Sequence, residues 1–251
     1  MRHLLAALLL AFHATPTLAD LPVQGLDHVP VVVRDLERAK ADFEALGFVL
    51  KPGRFHANGL RNEHAKFADG TEIELIMPTR AADALSSRYL DWLRQGDGPV
   101  SLGLYRLGAP AELSAGIFFD RRQKSPTDRP EHFAHPNSAV TLSGAWLAGD
   151  PAERQLLGLP GGRLLDGAFC APFGSSSKAL RFEEGKVILF PESAQVVRGR
   201  PILAITVTVG NLDAARHLLL RNRVVPRQVA GCARKSVWVE INGLWLEFVE
   251  R

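Results

Sequence analysis

From residue 26 onward, short apolar β-branched runs and helical stretches alternate in an order that returns along the chain. Residues 26–33 (LDHVPVVV) read as a strand that ends at Arg34-Asp35. Leu36, Ala39, Lys40, Phe43 and Leu46 then fall at helical spacing, with Asp35 placed to cap the start and Gly47 the end. Residues 48–51 are extended. Residues 63–68 and 71–77 form two strand-like runs joined by Asp69-Gly70, a hairpin turn signal. The order is strand, helix, strand, strand, strand.

The unit recurs. Near the C-terminus a strand at 201–209 precedes Asn211-Leu212-Asp213-Ala214-Ala215, the counterpart of Asp35-Leu36-Glu37-Arg38-Ala39. Runs at 237–241 and 244–249 then flank Asn242-Gly243, a hairpin of the same kind. A third copy has its strand at 142–147, a helix from Asp150-Pro151 to Gly158, and a hairpin at 178–182 and 186–190. A degenerate fourth copy lies within 100–133. Residues 81–95 predict a linking helix with Leu85, Tyr89, Trp92 and Leu93 as its apolar positions, and 121–129 a polar loop. A unit of about 50 residues that cannot bury its apolar face alone needs partners of its own kind. The expected fold class is therefore α+β, built from repeated βαβββ units that pack on one another. Residues 20–138 form a first region and 139–251 a second.

Composition narrows the picture. With 46% hydrophobic and 23% charged residues in 251, the chain reads as globular rather than disordered or polytopic. A net charge of +3, spread along the chain, gives no concentrated basic face, so nucleic acid is not an expected partner. Residues 1–19 combine Arg2 and His3, an apolar run at 4–12 too short to span a bilayer, and Thr17-Leu18-Ala19 before Asp20. This predicts a cleaved signal peptide and a secreted, most simply periplasmic, protein with no stable membrane insertion after cleavage. Export would permit a disulfide between Cys170 and Cys232; two separate buried thiols are the alternative. The chain contains no Gly-x-Ser-x-Gly, His-Glu-x-x-His or Cys-x-x-Cys, and Gly174-Ser175-Ser176-Ser177-Lys178 lacks the P-loop spacing.

Gly25-Leu26-Asp27-His28-Val29, Arg34-Asp35-Leu36 and Leu46-Gly47-Phe48 resemble the vicinal oxygen chelate superfamily, and within it the glyoxalase-like domain group. Gly59-x-x-Asn62, Phe67-x-Asp69-Gly70, Glu74-Leu75-Ile76 and His135-Pro136-Asn137-Ser138-Ala139 add to the resemblance, which covers nearly all of the chain after residue 20. It implies that the βαβββ units pair into curved, cup-shaped mixed sheets and that the cup holds a divalent metal (Fe, Mn, Ni or Zn) and a small oxygen-rich molecule. His28 and Glu74 are the implied metal ligands, and Glu74 also a catalytic acid/base. A metal with open positions binds two adjacent substrate oxygens, as in isomerases, lyases and dioxygenases of this kind.

The metal set implied by the resemblance is incomplete. Ala204 stands where a second His28 is expected, although Glu247 stands opposite Glu74. Residues two apart on a strand share a face, so if Asn62 faces the cup His64 does too, and His28, His64 and Glu74 become a two-His-one-carboxylate candidate. The site candidates are thus His28, His64, Glu74 and Glu247 for metal, and Asn62 and His135 for a ligand. His135 could instead fix the turn between regions with Asn137, and His56 and His132 read as solvated loop residues. A metal-free pocket that sequesters a small molecule is the alternative function, and a remnant kept for structure a third. Oligomeric state, a homodimer included, is left open.

Overall fold

A computed structural model describes residues 21–114, 116–122, 125–197, 199–230 and 235–251. The expected signal segment and Cys232 lie outside these residues. Cys170 is disulfide-bonded.

The lead-in strand β1 (Val23–Leu26) precedes the first unit, which comprises β2 (His28–Val32), α1 (Leu36–Ala45), β3 (Lys51–Phe55), β4 (Leu60–Lys66) and β5 (Glu72–Pro78). Asp35 caps α1, its Oδ1 accepting the Arg38 N–H at 3.0 Å. Leu36, Ala39 and Phe43 form the buried stripe of α1. β3 starts later than the pattern predicts, because Phe48 and Leu50 are taken into the core as the chain leaves α1. β2 runs parallel to β5, and β3, β4 and β5 form an antiparallel meander. A short β6 (Gly98–Pro99) completes the order β3-β4-β5-β2-β6.

Between the first and second units stands α2 (Ala84–Leu93), the expected linking helix. The second unit is reduced to β7 (Leu102–Arg106), β8 (Ala111–Ser114) and β9 (Ile117–Asp120), in the sheet order β1-β7-β9-β8. β7 is parallel to β9, as β2 is to β5. The two sheets meet along β2 and β7: the Asp27 N–H donates to Gly103 O at 2.8 Å, and the Val100 N–H to Pro30 O at 3.0 Å.

The third unit is complete: β10 (Ala139–Ala148), α3 (Asp150–Leu157), β11 (Arg163–Ala171), β12 (Gly174–Arg181) and β13 (Lys186–Phe190). The fourth has β14 (Ile202–Val209), α4 (Leu212–Arg221), β15 (Ser236–Ile241) and β16 (Leu244–Glu250). One seven-stranded sheet holds both, in the order β11-β12-β13-β10-β14-β16-β15. The fold is α+β, of curved mixed sheets with few helices.

One apolar core runs through both halves, with Phe43, Phe48 and Phe67 on one side and Leu219, Leu246 and Phe248 on the other. Phe48 stacks on Phe248 at a 6.0 Å centroid distance. Polar ties flank it: the Leu142 N–H donates to Thr71 Oγ1 at 2.9 Å, and the Glu184 N–H to Gln24 O at 2.8 Å. Facing aromatic rings add a geometric preference to the burial of apolar area, which supplies most of the stabilisation.

Candidate functional site

A cavity of about 370 Å³ lies in the first cup. Its floor is set by strand parity. Pro30 pairs with Glu74 across β2 and β5, and His64 pairs with Glu74 across β4 and β5, so His28, Pro30, Asn62, His64, Glu72 and Glu74 present one face. His28, Asn62 and Glu74 line the cavity. The Asn62 Nδ2 donates to Glu74 Oε1 at 2.7 Å, while Asn62 Oδ1 accepts the Arg54 N–H at 2.9 Å. The other Glu74 oxygen, Oε2, faces His28 Nε2 at 3.8 Å.

His28 is gripped from behind. Its Nδ1 is hydrogen-bonded to Asp27 Oδ1, and Asp27 Oδ2 accepts the Arg122 N–H at 2.9 Å. A carboxylate on Nδ1 fixes the tautomer and leaves Nε2 to the cavity. Burial opposes a charge on this imidazole, but the Asp27 bond and charge, then those of Glu74 and Glu72, outweigh it and raise His28 to about 9. The Phe118 ring meets the imidazole edge-on at 4.9 Å.

Register locates the matching positions in the second unit. Glu74 pairs with the residue two beyond His28 on the parallel strand, and Asp120 pairs with Tyr105, two beyond Gly103. Gly103 and Asp120 are thus the counterparts of His28 and Glu74. Gly103 leaves no room for a second imidazole: a Cβ there would come within 3.0 Å of His28 O and 3.1 Å of His28 Nδ1. Asp120 lines the cavity beside His28. Among the described residues, one group of three metal-capable side chains has all its ligand atoms within 4.8 Å of one another: Asp27, His28 and Asp120. Neither Asp27 nor Asp120 was singled out from sequence. Asp27 stood inside the quoted motif, and Asp120 sits in the unit whose pattern is weakest.

The other candidates are placed elsewhere. His64 does not join His28. Its Nδ1 contacts Glu72 Oε1 at 3.2 Å, within a row of charges in which Lys66 reaches Glu72 at 3.0 Å and Asp128 at 3.3 Å, and Lys51 reaches Asp128 at 2.5 Å. Burial works against the Glu72 charge, but His64, His28 and Lys66 overcome it and hold the carboxyl at about 2. His135 has neither ring nitrogen free for a ligand: Nδ1 accepts the Val49 N–H at 3.0 Å, and Nε2 lies 2.9 Å from Lys66 O. Burial lowers its proton affinity, so it is a neutral cross-tie. Asn137 makes the neighbouring tie, Nδ2 donating to Leu46 O at 3.0 Å. His56, read from sequence as solvated, lines the cavity.

Glu247 belongs to the second cup. Register makes it the counterpart of Glu74, with Ala204 the counterpart of His28. There Thr206 Oγ1 donates to Glu247 Oε2 at 2.7 Å and accepts from Trp146 Nε1 at 2.8 Å. Trp146, Phe190, Ala204 and Trp238 fill that interior, and Trp146 meets Trp238 edge-on at 5.2 Å. With Ala204 in place of an imidazole, the cup packs aromatic rings where the first keeps a cavity.

Residues 26–105 match the family model described as a glyoxalase-like domain. No curated protein matches. Among solved structures, the 2,3-dioxygenase LapB from Pseudomonas sp. KL28 aligns with a TM-score of 0.58 at 14% identity, covering 93% of this chain and 94% of that one. A variant of homoprotocatechuate 2,3-dioxygenase from B. fuscum aligns at 0.59 and 8% identity, covering 94% and 73%. A hypothetical protein from Staphylococcus aureus aligns at 0.58 and 8% identity, covering 90% and 99%. At such identities the likeness is one of fold.

Proposed function

We propose that the chain is a glyoxalase-like protein of the vicinal oxygen chelate superfamily and that its first cup binds a small oxygen-rich molecule at a divalent metal held by His28, Glu74 and Asp120. The observation that carries this is the His28 arrangement: Nδ1 fixed by Asp27, and Nε2 turned toward Glu74 inside a cavity. One imidazole and two carboxylates suit a cation that accepts oxygen ligands, Mn²⁺ or Fe²⁺ before softer ions. Such an ion would polarise adjacent substrate oxygens as a Lewis acid.

The residues around it have separate tasks. Asp27 keeps the proton on Nδ1 of His28. Asn62 holds one Glu74 oxygen and so orients the other. Burial and the Glu74 charge push the Tyr89 phenol up to about 12, so at neutral pH it stays a donor in the cavity wall. Phe118, Ile117 and Leu60 exclude water beside these groups. In the absence of a cation, His28 Nε2 and Glu74 Oε2 face each other at 3.8 Å as a donor and an acceptor for a bound molecule. Gly103, where a second imidazole would stand, favours that metal-free pocket as the second reading.

Calorimetric titration of the purified protein with Mn²⁺, beside His28→Ala and Asp120→Asn, separates the two. One bound ion per chain, lost in His28→Ala and weakened at least tenfold in Asp120→Asn, supports the metal site. No heat of binding for Mn²⁺, Fe²⁺ or Zn²⁺ leaves the metal-free pocket. Export to an oxidising compartment is likewise proposed, supported by the pattern of residues 1–19 and by the disulfide at Cys170.

A further inference from the structure

The polar loop that follows β9 begins with a residue held on several sides at once. Arg122 has a left-handed backbone, with φ at +51°. Only glycine adopts that region freely, so at an arginine the surrounding contacts must hold it there. The Arg122 side chain is 7% exposed. Its Nε donates to Leu26 O at 2.9 Å, its Nη2 donates to the same carbonyl, and its Nη1 donates to Glu184 Oε2. The guanidinium lies over the Tyr105 ring, 4.5 Å from the centroid. With the side chain so placed, the backbone N–H of Arg122 meets Asp27 Oδ2 at 2.9 Å. One residue therefore holds both the carbonyl just before Asp27 and the carboxylate oxygen that His28 leaves unused. Among the described residues, the Asp27 side chain has no hydrogen-bond partners besides His28 and Arg122.

Glu184 comes from the other half of the protein. It sits in the turn between β12 and β13 of the third unit, and that turn is docked on β1, the strand leading to Asp27. The Glu184 N–H donates to Gln24 O at 2.8 Å, and Glu184 O accepts the Leu26 N–H at 3.2 Å, with Gly25 facing Glu184 in a parallel bridge. The contact has no slack, since a Cβ on Gly25 would stand 2.2 Å from Glu184 O. A chain of hydrogen bonds thus runs from the third-unit turn through Arg122 and Asp27 to the imidazole of His28.

We propose that Arg122 is a positioning residue for His28 and that Glu184 of the third unit sets it, so that the half whose cup is packed with aromatic rings supports the metal site of the other half. This rests on the reading of His28 as a metal ligand given above. A ligating imidazole depends on the group that fixes its second nitrogen, and on what fixes that group in turn. A guanidinium suits the task, because its planar fork binds a carbonyl and a carboxylate at once in fixed directions, which a lysine ammonium does not. Glu184 is 49% exposed, so its ion pair contributes direction more than energy.

The test compares Arg122→Met, Arg122→Lys, Glu184→Gln and Glu183→Gln in the purified protein. Glu183 is exposed in the same turn and makes no contact with Arg122, so Glu183→Gln changes the charge without touching the chain of bonds. Two quantities are read: calorimetric Mn²⁺ affinity, and, in metal-free protein, the NMR signal of the His28 Nδ1 proton shared with Asp27, assigned by its absence in His28→Gln. Arg122→Met should weaken Mn²⁺ about tenfold or more and abolish the imidazole signal. Arg122→Lys should fall closer to Arg122→Met than to wild type. Glu184→Gln should weaken Mn²⁺ about threefold, the effect of a partly exposed pair, and broaden the signal. Glu183→Gln should match wild type in both. Melting temperatures establish which variants are folded; if Arg122→Met is not, Glu184→Gln against Glu183→Gln decides. A native imidazole signal in folded Arg122→Met, full recovery in Arg122→Lys, or equal effects of Glu184→Gln and Glu183→Gln overturns the proposal. Failure of the metal reading looks different: wild type binds no Mn²⁺, yet the imidazole signal still depends on Arg122 and Glu184.

Discussion

Replacing Asp27 with Asn tests the electrostatics of the site directly. The wild-type His28 imidazole, 6.5 in an unfolded chain, stands at about 9 in the folded protein. At about 1.4 kcal/mol per tenfold change in proton affinity, that difference corresponds to roughly 3 kcal/mol of folding free energy. The group is more basic folded than unfolded. Its contribution is therefore complete below pH 6.5 and disappears as the pH rises through about 9. Asn keeps the size of Asp27, and its amide oxygen can still accept from Nδ1. What is lost is the charge, which with the hydrogen bond forms the main counterweight to burial. The assay is urea unfolding of metal-free protein in EDTA at pH 6 and pH 10, for wild type, Asp27→Asn and His28→Gln. His28→Gln removes the titration altogether, so its own change between the two pH values measures everything else. Wild type should lose roughly 3 kcal/mol more than His28→Gln over this interval, and Asp27→Asn less than half of that excess. NMR titration of the imidazole should give a midpoint near 9 in wild type and at least one unit lower in Asp27→Asn. A midpoint that stays near 9 in the variant, or a wild-type excess below about 1 kcal/mol, would refute this account of how His28 is held.

Three further outcomes are expected. Glu72, held at about 2 against 4.5 unfolded, supplies stability that is present above pH 4.5 and lost as pH falls through 2; Glu72→Gln should be destabilised at pH 6 and show a flatter acid limb in thermal melts from pH 5 to 2, and an unchanged limb would count against the His64–Glu72–Lys66 row. Arg200→Met removes the donors that hold the carbonyls of Trp92, Gly96 and Asp97; at about 1.5 kcal/mol or more for a hydrogen bond to a charged group, without full additivity, it should cost roughly 3 kcal/mol in urea unfolding, and wild-type stability would show that α2 is fixed by other means. Gly103→Ala places a methyl group 3.0 Å from His28 O and from Phe118 Cζ; it should destabilise by about 1–3 kcal/mol and weaken Mn²⁺ at least tenfold, whereas native-like Mn²⁺ binding would mean that the β2–β7 seam has slack.

The two cups diverged by a few side chains at equivalent positions. His28 with Glu74 leaves polar groups that need a cavity. Ala204 with Glu247 leaves space that Trp146 and Trp238 occupy, and the carboxylate is satisfied locally through Thr206. An apolar void would lose contacts on every wall, so an interior without polar demands packs shut.

The sequence by itself determined the repeated unit. Asp35 and Asn211 cap helices at matching places, Asp69-Gly70 and Asn242-Gly243 turn the hairpins, and strand parity put Asn62 with His64 on one face of their strand and Glu72 with Glu74 on one face of theirs. These are local properties: a period of two or 3.6, a cap, a turn. Element edges were less legible, as at β3, because whether Phe48 and Leu50 pair in a sheet or sink into the core depends on Phe248 from the far end of the chain. Only the tertiary structure decided which residues meet across units. It brought Asp120 beside His28, placed Glu247 in the other cup, and tied both ring nitrogens of His135 to the backbone of the first unit. It also laid α2, the expected link between units, over the cup as a wall. Each of these depends on the β2–β7 seam or on the packing of one unit against another, and contacts between residues tens of positions apart leave no periodic trace in the chain.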